Sequence, residues 1–189
     1  MSFSSRSASS ALALMITAAV GLTSDPAAAQ HTSFEPLRIE RQARLTLDGL
    51  PEQVLPLLSP QGRHQLAGPR PVDQEVVFRG RDGSLSGSMM RTIHRVGDHA
   101  DAWDVIADFD QDAWTMRRVH FEPDTELLME DVQLASGPDG GTIATISWRV
   151  VGLSEHGNAA VQRFMEDHFE ESMQRLERDI NTALSEKRG

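Results

Sequence analysis

Two periods divide this chain. From Leu37 to Leu47 (LRIERQARLTL) apolar and polar positions alternate, with Ile39, Ala43, Leu45 and Leu47 on one face and Arg38, Glu40, Gln42, Arg44 and Thr46 on the other. A period of two predicts a strand with one face buried, and Arg41 falls on the apolar face. Asp48 and Gly49 then turn the chain. Pro51-Glu52 opens a short helix through Val54, Leu55, Leu57 and Leu58, proline being suited to a first helical turn, and a second short helical piece is expected at Pro60 to Leu66. The run Ala67-Gly68-Pro69-Arg70-Pro71 reads as a loop.

From Glu75 the pattern becomes a series of short strands: EVVFR, SLSGSMMRTIHR, ADAWDVIAD, AWTMRRVHF, ELLMEDVQLA and TIATISWRVV. Between them lie turns rich in glycine, aspartate and proline, at Gly80 to Gly83, Val96 to His99, Phe109 to Asp112, Pro123-Asp124 and Gly137 to Gly141. Short successive links join antiparallel neighbours, and no helix interrupts the series, which excludes a parallel doubly wound sheet. The facing of ADAWDVIAD is ambiguous, because Trp103, Val105 and Ala107 alternate with Ala102, Asp104 and Ile106.

The period then lengthens to 3.6. An uninterrupted amphipathic helix is predicted from roughly Asn158 to Glu186, with Val161, Phe164, Met165, His168, Phe169, Ser172, Met173, Leu176, Ile180 and Leu184 on one stripe. Glu166, Asp167, Glu170, Glu171, Arg175 and Arg178 fill the other face. One long apolar stripe needs a broad surface to lie against, and the preceding strands supply it as a curved sheet. The expectation is an α+β fold, with about seven antiparallel strands wrapped around the C-terminal helix, two short helices after the first strand, and room for a cavity between helix and sheet.

The first residues stand apart from this pattern. Ala11 to Thr23 is a short apolar run, and Ala27-Ala28-Ala29 before Gln30 has the small-x-small form of a cleavage site, so residues 1–29 are expected to be a signal peptide and 30–189 a single exported domain, periplasmic or secreted. The serine-rich leader carries Arg6 as its one positive charge, and a transit peptide is the alternative. The apolar run is shorter than the roughly 20 residues a spanning helix needs, so no stable membrane insertion is expected after processing. There is no cysteine, hence no disulfide and no lipid-modified N-terminal cysteine.

Charge narrows the partners. The chain has 18 basic and 28 acidic residues, a net charge of -10, which repels phosphate backbones and makes nucleic acid an unsuitable partner. Aromatics are 5% of the sequence, with no tyrosine, which disfavours sites built on extensive stacking; Trp103, Trp114 and Trp148 leave a small aromatic site open. No cofactor is implied, and a monomer and a homodimer are both open.

The order of strand, two short helices, six strands and one long helix resembles the START-like or Bet v 1-like superfamily, including bacterial SRPBCC or polyketide cyclase-like proteins. Two stretches carry the resemblance: RQARLTLDGLPEQVLPLLSP at 41–60, and TISWRVVGLSEHGNAAVQRFMEDHFEESMQRLERDINTAL at 145–184, where a last strand runs through a Ser-Glu-x-Gly turn into the long helix. The resemblance implies a helix-grip fold holding an apolar or amphipathic small molecule between helix and sheet, with catalysis in only some members. Where many relatives carry tryptophan near the second helix, this chain has Leu66 and a Gly-Pro-Arg-Pro run, so the cavity mouth is not carried over.

Several motifs weaken on inspection. Asp108, Asp110 and Asp112 match the first half of a calcium loop, but Ala113 stands where glycine is needed and Val119 where a bidentate glutamate is needed, which favours an acidic hairpin tip. Gly83-Ser84-Leu85-Ser86-Gly87 looks like a hydrolase elbow with leucine in place of the nucleophile, and reads as a hairpin shoulder. His94 and His99 flank a turn without a third ligand, so no metal site is expected.

Candidate ligand-binding residues are Arg41, Trp148, Phe164, Met165 and His168. Arg41 and His168 are notable because periodicity turns both inward, where a charge needs a partner, a bound anion or a route to water. The leading reading is an exported protein binding an apolar or amphipathic small molecule. A cyclase, dehydratase or hydrolase-like enzyme using Arg41, His94, His120 or His168 in the same cavity is the alternative, although no nucleophile and base can be paired from the sequence. A protein with a filled core acting through its surface is the third.

Overall fold

A computed structural model of the chain describes residues 34–67, 72–94 and 101–187. Seven strands form one antiparallel sheet: β1 Arg38–Leu47, β2 Val72–Phe78, β3 Met89–His94, β4 Ala102–Asp110, β5 Thr115–Glu122, β6 Glu126–Ser136 and β7 Thr142–Gly152. Their order is β1-β7-β6-β5-β4-β3-β2, so six strands meander and the first returns beside the last. After β1 come two short helices, α1 Pro51–Leu58 and α2 Pro60–Leu66. The expected strands and helices are therefore present in the expected order, with SLSGS at 84–88 left as a turn before β3.

The sheet has one face turned to the core. Leu45 and Leu47 of β1, Ala102 and Ile106 of β4, Met116 of β5, Leu128, Val132 and Leu134 of β6, and Ala144, Ile146 and Val150 of β7 are all buried. This resolves the facing of β4: Ala102, Asp104 and Ile106 point inward, and Trp103 and Val105 lie half-buried on the outer face. Ser59 connects the two short helices. Its hydroxyl donates to the Pro56 carbonyl that ends α1 (2.7 Å) and accepts from the Gly62 amide in the first turn of α2 (3.1 Å).

The C-terminal helix starts earlier than its sequence pattern suggests and is not uniform. Ser154 caps α3, Glu155–Arg163, accepting from the Gly157 amide at 2.9 Å. A π-helical segment follows at Phe164–His168, and α4, Phe169–Glu186, completes the element. A π turn holds one residue more than an α turn, so it resets the stripe. Val161, Met165, Phe169, Met173, Ile180 and Leu184 are buried, while His168 is turned out to solvent. The inward placement expected for His168 is thus corrected: an uninterrupted 3.6 period would bury it, and the inserted residue rotates it away.

Arg41 keeps the face its periodicity assigns and takes the route to water. It lies on the helix-facing side, opposite Trp148, but near the open end of an edge strand, and its side chain is exposed. It snorkels to the π segment, where Nε donates a long 3.5 Å bond to the Met165 carbonyl. At the β4–β5 turn, Asp110 accepts from the amides of Asp112 (2.9 Å) and Ala113 (2.8 Å), as an acidic hairpin tip does. The leader, the Gly68 to Pro71 part of the loop after α2, the turn holding His99 and the side chain of His94 lie outside the described residues.

Candidate functional site

The middle of the inner face is polar. Register places Asp104 opposite His120, and Arg118 in line with Glu130, Trp148 and Arg41 on successive strands. Each of Asp104, Arg118 and Glu130 is flanked two residues away, on both sides or one, by buried apolar side chains, so the alternation that builds the core carries these charges into it.

They pair with one another, although Arg63 Nε, Arg118 Nε and Glu130 Oε2 make no hydrogen bond among the described residues. Arg118 Nη1 donates to Asp104 Oδ1 at 2.9 Å, and its Nε approaches Glu130 Oε2 at 2.9 Å in an ion pair. Arg63, brought over the sheet by α2, donates to Glu130 Oε1 at 2.6 Å, and Trp148 Nε1 donates to the same oxygen at 2.8 Å. His120 Nδ1 lies 3.0 Å from Asp104 Oδ1. The Glu130 side chain is 0% exposed. Two guanidiniums facing two carboxylates leave the cluster neutral, the condition under which buried charge is tolerable.

Titration follows from this packing. Burial pushes the Glu130 carboxyl up, but the Arg118 and Arg63 guanidiniums and the Trp148 N–H outweigh it and hold Glu130 below the usual glutamate range. Asp104 is likewise raised by burial and more strongly lowered by Arg118 and His120, and ends below its ordinary value. Glu126 goes the other way: burial raises it, its cross-strand neighbour Glu122 adds to the rise, and His120 offsets this only in part.

Trp148 is the centre of the floor. Pinned by its bond to Glu130, it stacks on Phe164 with centroids 5.9 Å apart and meets the edge of Phe169 at 5.5 Å. On one side of it is a cavity of about 300 Å³ between β5, β6, β7 and the start of the long helix. Leu128, Trp148, Val150, Ala160, Phe164 and Met165 form its apolar wall. Arg118, His120, Glu122, Thr125 and Glu126 form its polar end. A second cavity of about 290 Å³ lies on the other side, beneath Arg63, Leu66, Met173 and Leu176. A third hollow of about 380 Å³ lies on the outer face among Gln42, Arg117 and Asp131, in a field of exposed ion pairs.

Local sequence shapes the first cavity. The Ser154 hydroxyl donates to the Asp124 carbonyl and the Leu153 amide to the Thr125 carbonyl (3.0 Å), fastening the helix start to the β5–β6 turn. A Cβ on Gly157 would stand 2.1 Å from the Thr125 carbonyl, so only glycine permits this approach. The π segment then turns Phe164 and Met165 over the opening.

Of the candidates chosen from sequence, Trp148, Phe164 and Met165 come together in one cavity wall, whereas Arg41 and His168 stand outside it. The residues missed were Asp104, Arg118, Glu122, Glu126 and Glu130, together with Arg63. Their signal was present in the alternation of β6, where Leu128, Glu130, Val132 and Leu134 share one face, and of β5, where Met116, Arg118 and His120 do.

No protein-family model and no curated protein matches the sequence. Solved structures do match in shape. Ara h 8.0201 superposes with a TM-score of 0.54 at 13% identity, covering 80% of this chain and 99% of that one. Norcoclaurine synthase from Thalictrum flavum gives 0.58 at 11% identity, over 80% of this chain and 88% of its own. A protein from Rhizobium leguminosarum gives 0.55 at 16%, over 78% and 97%. At such identities the likeness is one of fold, and it agrees with the strand order, the paired short helices and the closing helix described above: the chain has the helix-grip fold of Bet v 1-like proteins.

Proposed function

We infer that this chain binds an amphipathic small molecule in the cavity beside Trp148, and that it does so after export and removal of residues 1–29. The observation that carries the binding reading is the division of that cavity into an apolar wall of Leu128, Trp148, Val150, Phe164 and Met165 and a polar end at His120, Glu122 and Glu126. Such a surface takes a ligand with an apolar body and one polar group, since the wall gains by excluding water and the polar end must otherwise stay hydrated. Met165 lends the wall adaptability of shape. A norcoclaurine synthase of the same fold has been solved with dopamine and hydroxybenzaldehyde, which supports the use of this architecture for small molecules. Export rests on the Ala27-Ala28-Ala29 pattern before Gln30.

The test is to fill the cavity. Ala160→Phe projects a ring into it from α3, and should weaken binding of the neutral fluorescent probe N-phenylnaphthylamine by about tenfold or more, equivalent to about 1.4 kcal/mol. Unchanged affinity in a folded variant would place the probe elsewhere and remove the support for this site.

A further inference from the structure

The orientation of His120 goes beyond binding. Asp104 is 5% exposed, and its Oδ1 accepts from Arg118 at 2.9 Å while lying 3.0 Å from His120 Nδ1. A carboxylate paired with a guanidinium is ionised and can only accept, so the proton between Asp104 and His120 belongs to Nδ1. The neutral ring then carries its lone pair on Nε2. That atom has no hydrogen-bond partner among the described residues, and the ring lines the cavity. A histidine hydrogen-bonded to a buried carboxylate through one nitrogen, its other nitrogen unpartnered and its ring lining the polar end of the cavity, is placed to accept a proton.

We propose that the cavity is also an acid–base active site, in which His120, positioned by Asp104, removes a proton from a carbon next to the carbonyl of an apolar or aromatic ketone or aldehyde. This rests on the cavity being the ligand site. The C–H bond breaks, its proton bonds to Nε2, and its electron pair forms the C=C bond of an enolate while the carbonyl π pair moves onto oxygen. Glu126, kept toward its protonated form by burial and by Glu122 opposite, donates a proton to that oxygen and gives the enol. Return of the protons, to the same carbon or to a conjugated one, completes an exchange or an isomerisation without oxidant, reductant or co-substrate. The charged and titratable groups around His120 are Asp104 from β4, Arg118 and Glu122 from β5, and Glu126 and Glu130 from β6; Ala160, Phe164 and Met165 of the overlying helix add none.

A tetralone, a bicyclic aromatic ketone with acidic α-hydrogens, is the probe. Its α-hydrogens should exchange with solvent deuterium faster in the presence of the full chain. His120→Gln should lower the catalysed rate by about 100-fold or more, the usual contribution of a general base, while leaving binding seen by saturation-transfer NMR within a few fold. In Asp104→Asn the amide can donate to Nδ1, which moves the ring proton to Nε2; nitrogen NMR should report the reversed tautomer and the exchange rate should fall. If Asp104→Asn does not fold, His120→Gln and the tautomer in the wild-type protein decide the matter. Tetralone that binds but exchanges as fast with His120→Gln as with wild type overturns the base, as does a wild-type ring protonated only at Nε2. Tetralone that does not bind at all overturns the ligand site beneath it.

Discussion

Glu130 is fully enclosed and held by hydrogen bonds from Arg63 and Trp148 and by an ion pair with Arg118, and its removal should be the costliest single change in the floor. In Glu130→Gln the Arg63 and Arg118 guanidiniums face an uncharged amide in the interior, and breaking a buried pair from one side costs about 3–5 kcal/mol. Urea unfolding measures this; a loss of under about 1 kcal/mol would mean the cluster is wetter than its burial indicates. Asp104 and Glu130 sit below their ordinary values, so the stability they contribute is present above the ordinary carboxylate range, about pH 4, and is lost as the pH falls through their lowered folded values. Glu126 has the opposite sign. Its raised value stabilises the fold at acid pH and loses that contribution as the pH rises through it. Glu126→Gln should therefore gain on the wild type between about pH 4 and neutrality, read as a growing difference in urea midpoint; a difference that shrinks over that range contradicts the assignment. At this scale the sequence revealed the aromatic half of the site and hid the ionic half. Trp148, Phe164 and Met165 announce themselves by size, whereas Arg118 and Glu130 look like solvent-facing charges until the register shows that they share a row.

Among the elements, the long helix was the most legible and also the most misleading. Its stripe located the docked face, and Phe169, Met173, Ile180 and Leu184 are buried as that stripe requires. A π segment is hard to see in such a pattern, because one extra residue widens a stripe without breaking it: Phe164 and Met165, then His168 and Phe169, read as two ordinary turns. The outward His168 is the result. Removing the exposed Glu166 should convert the π turn into an α turn and re-register α3 against α4. The expected outcome is a folded protein with unchanged helical circular dichroism and much weaker probe binding, since Phe164 and Met165 lose their position over the opening. Probe binding equal to wild type would show that the π turn does not shape the cavity. The short helices were easier to read, because proline opens each one and Ser59 fits the junction, yet nothing in α2 marked Arg63 as the residue that reaches down to Glu130.

For the molecule as a whole, seven strands curve around one helix that touches β7 with its first half and β1 with its second. A helix laid along a curved sheet leaves space on each side of a large residue at the contact, and Trp148 is that residue, with a cavity on either side of it. The global architecture was legible because strand period, turn chemistry and the final helix all agreed on it. The ligand space was not, since a cavity is the volume that side chains fail to fill and depends on rotamers that a linear pattern does not encode. Binding beside Trp148 is tested most directly by a crystal structure of the chain with N-phenylnaphthylamine. The expected result is density against Trp148 and Phe164, with the amine nitrogen toward His120 and Glu126; density confined to the outer hollow around Arg117 and Asp131, or an interior closed over by Phe164 and Met165 with no bound molecule, would contradict it.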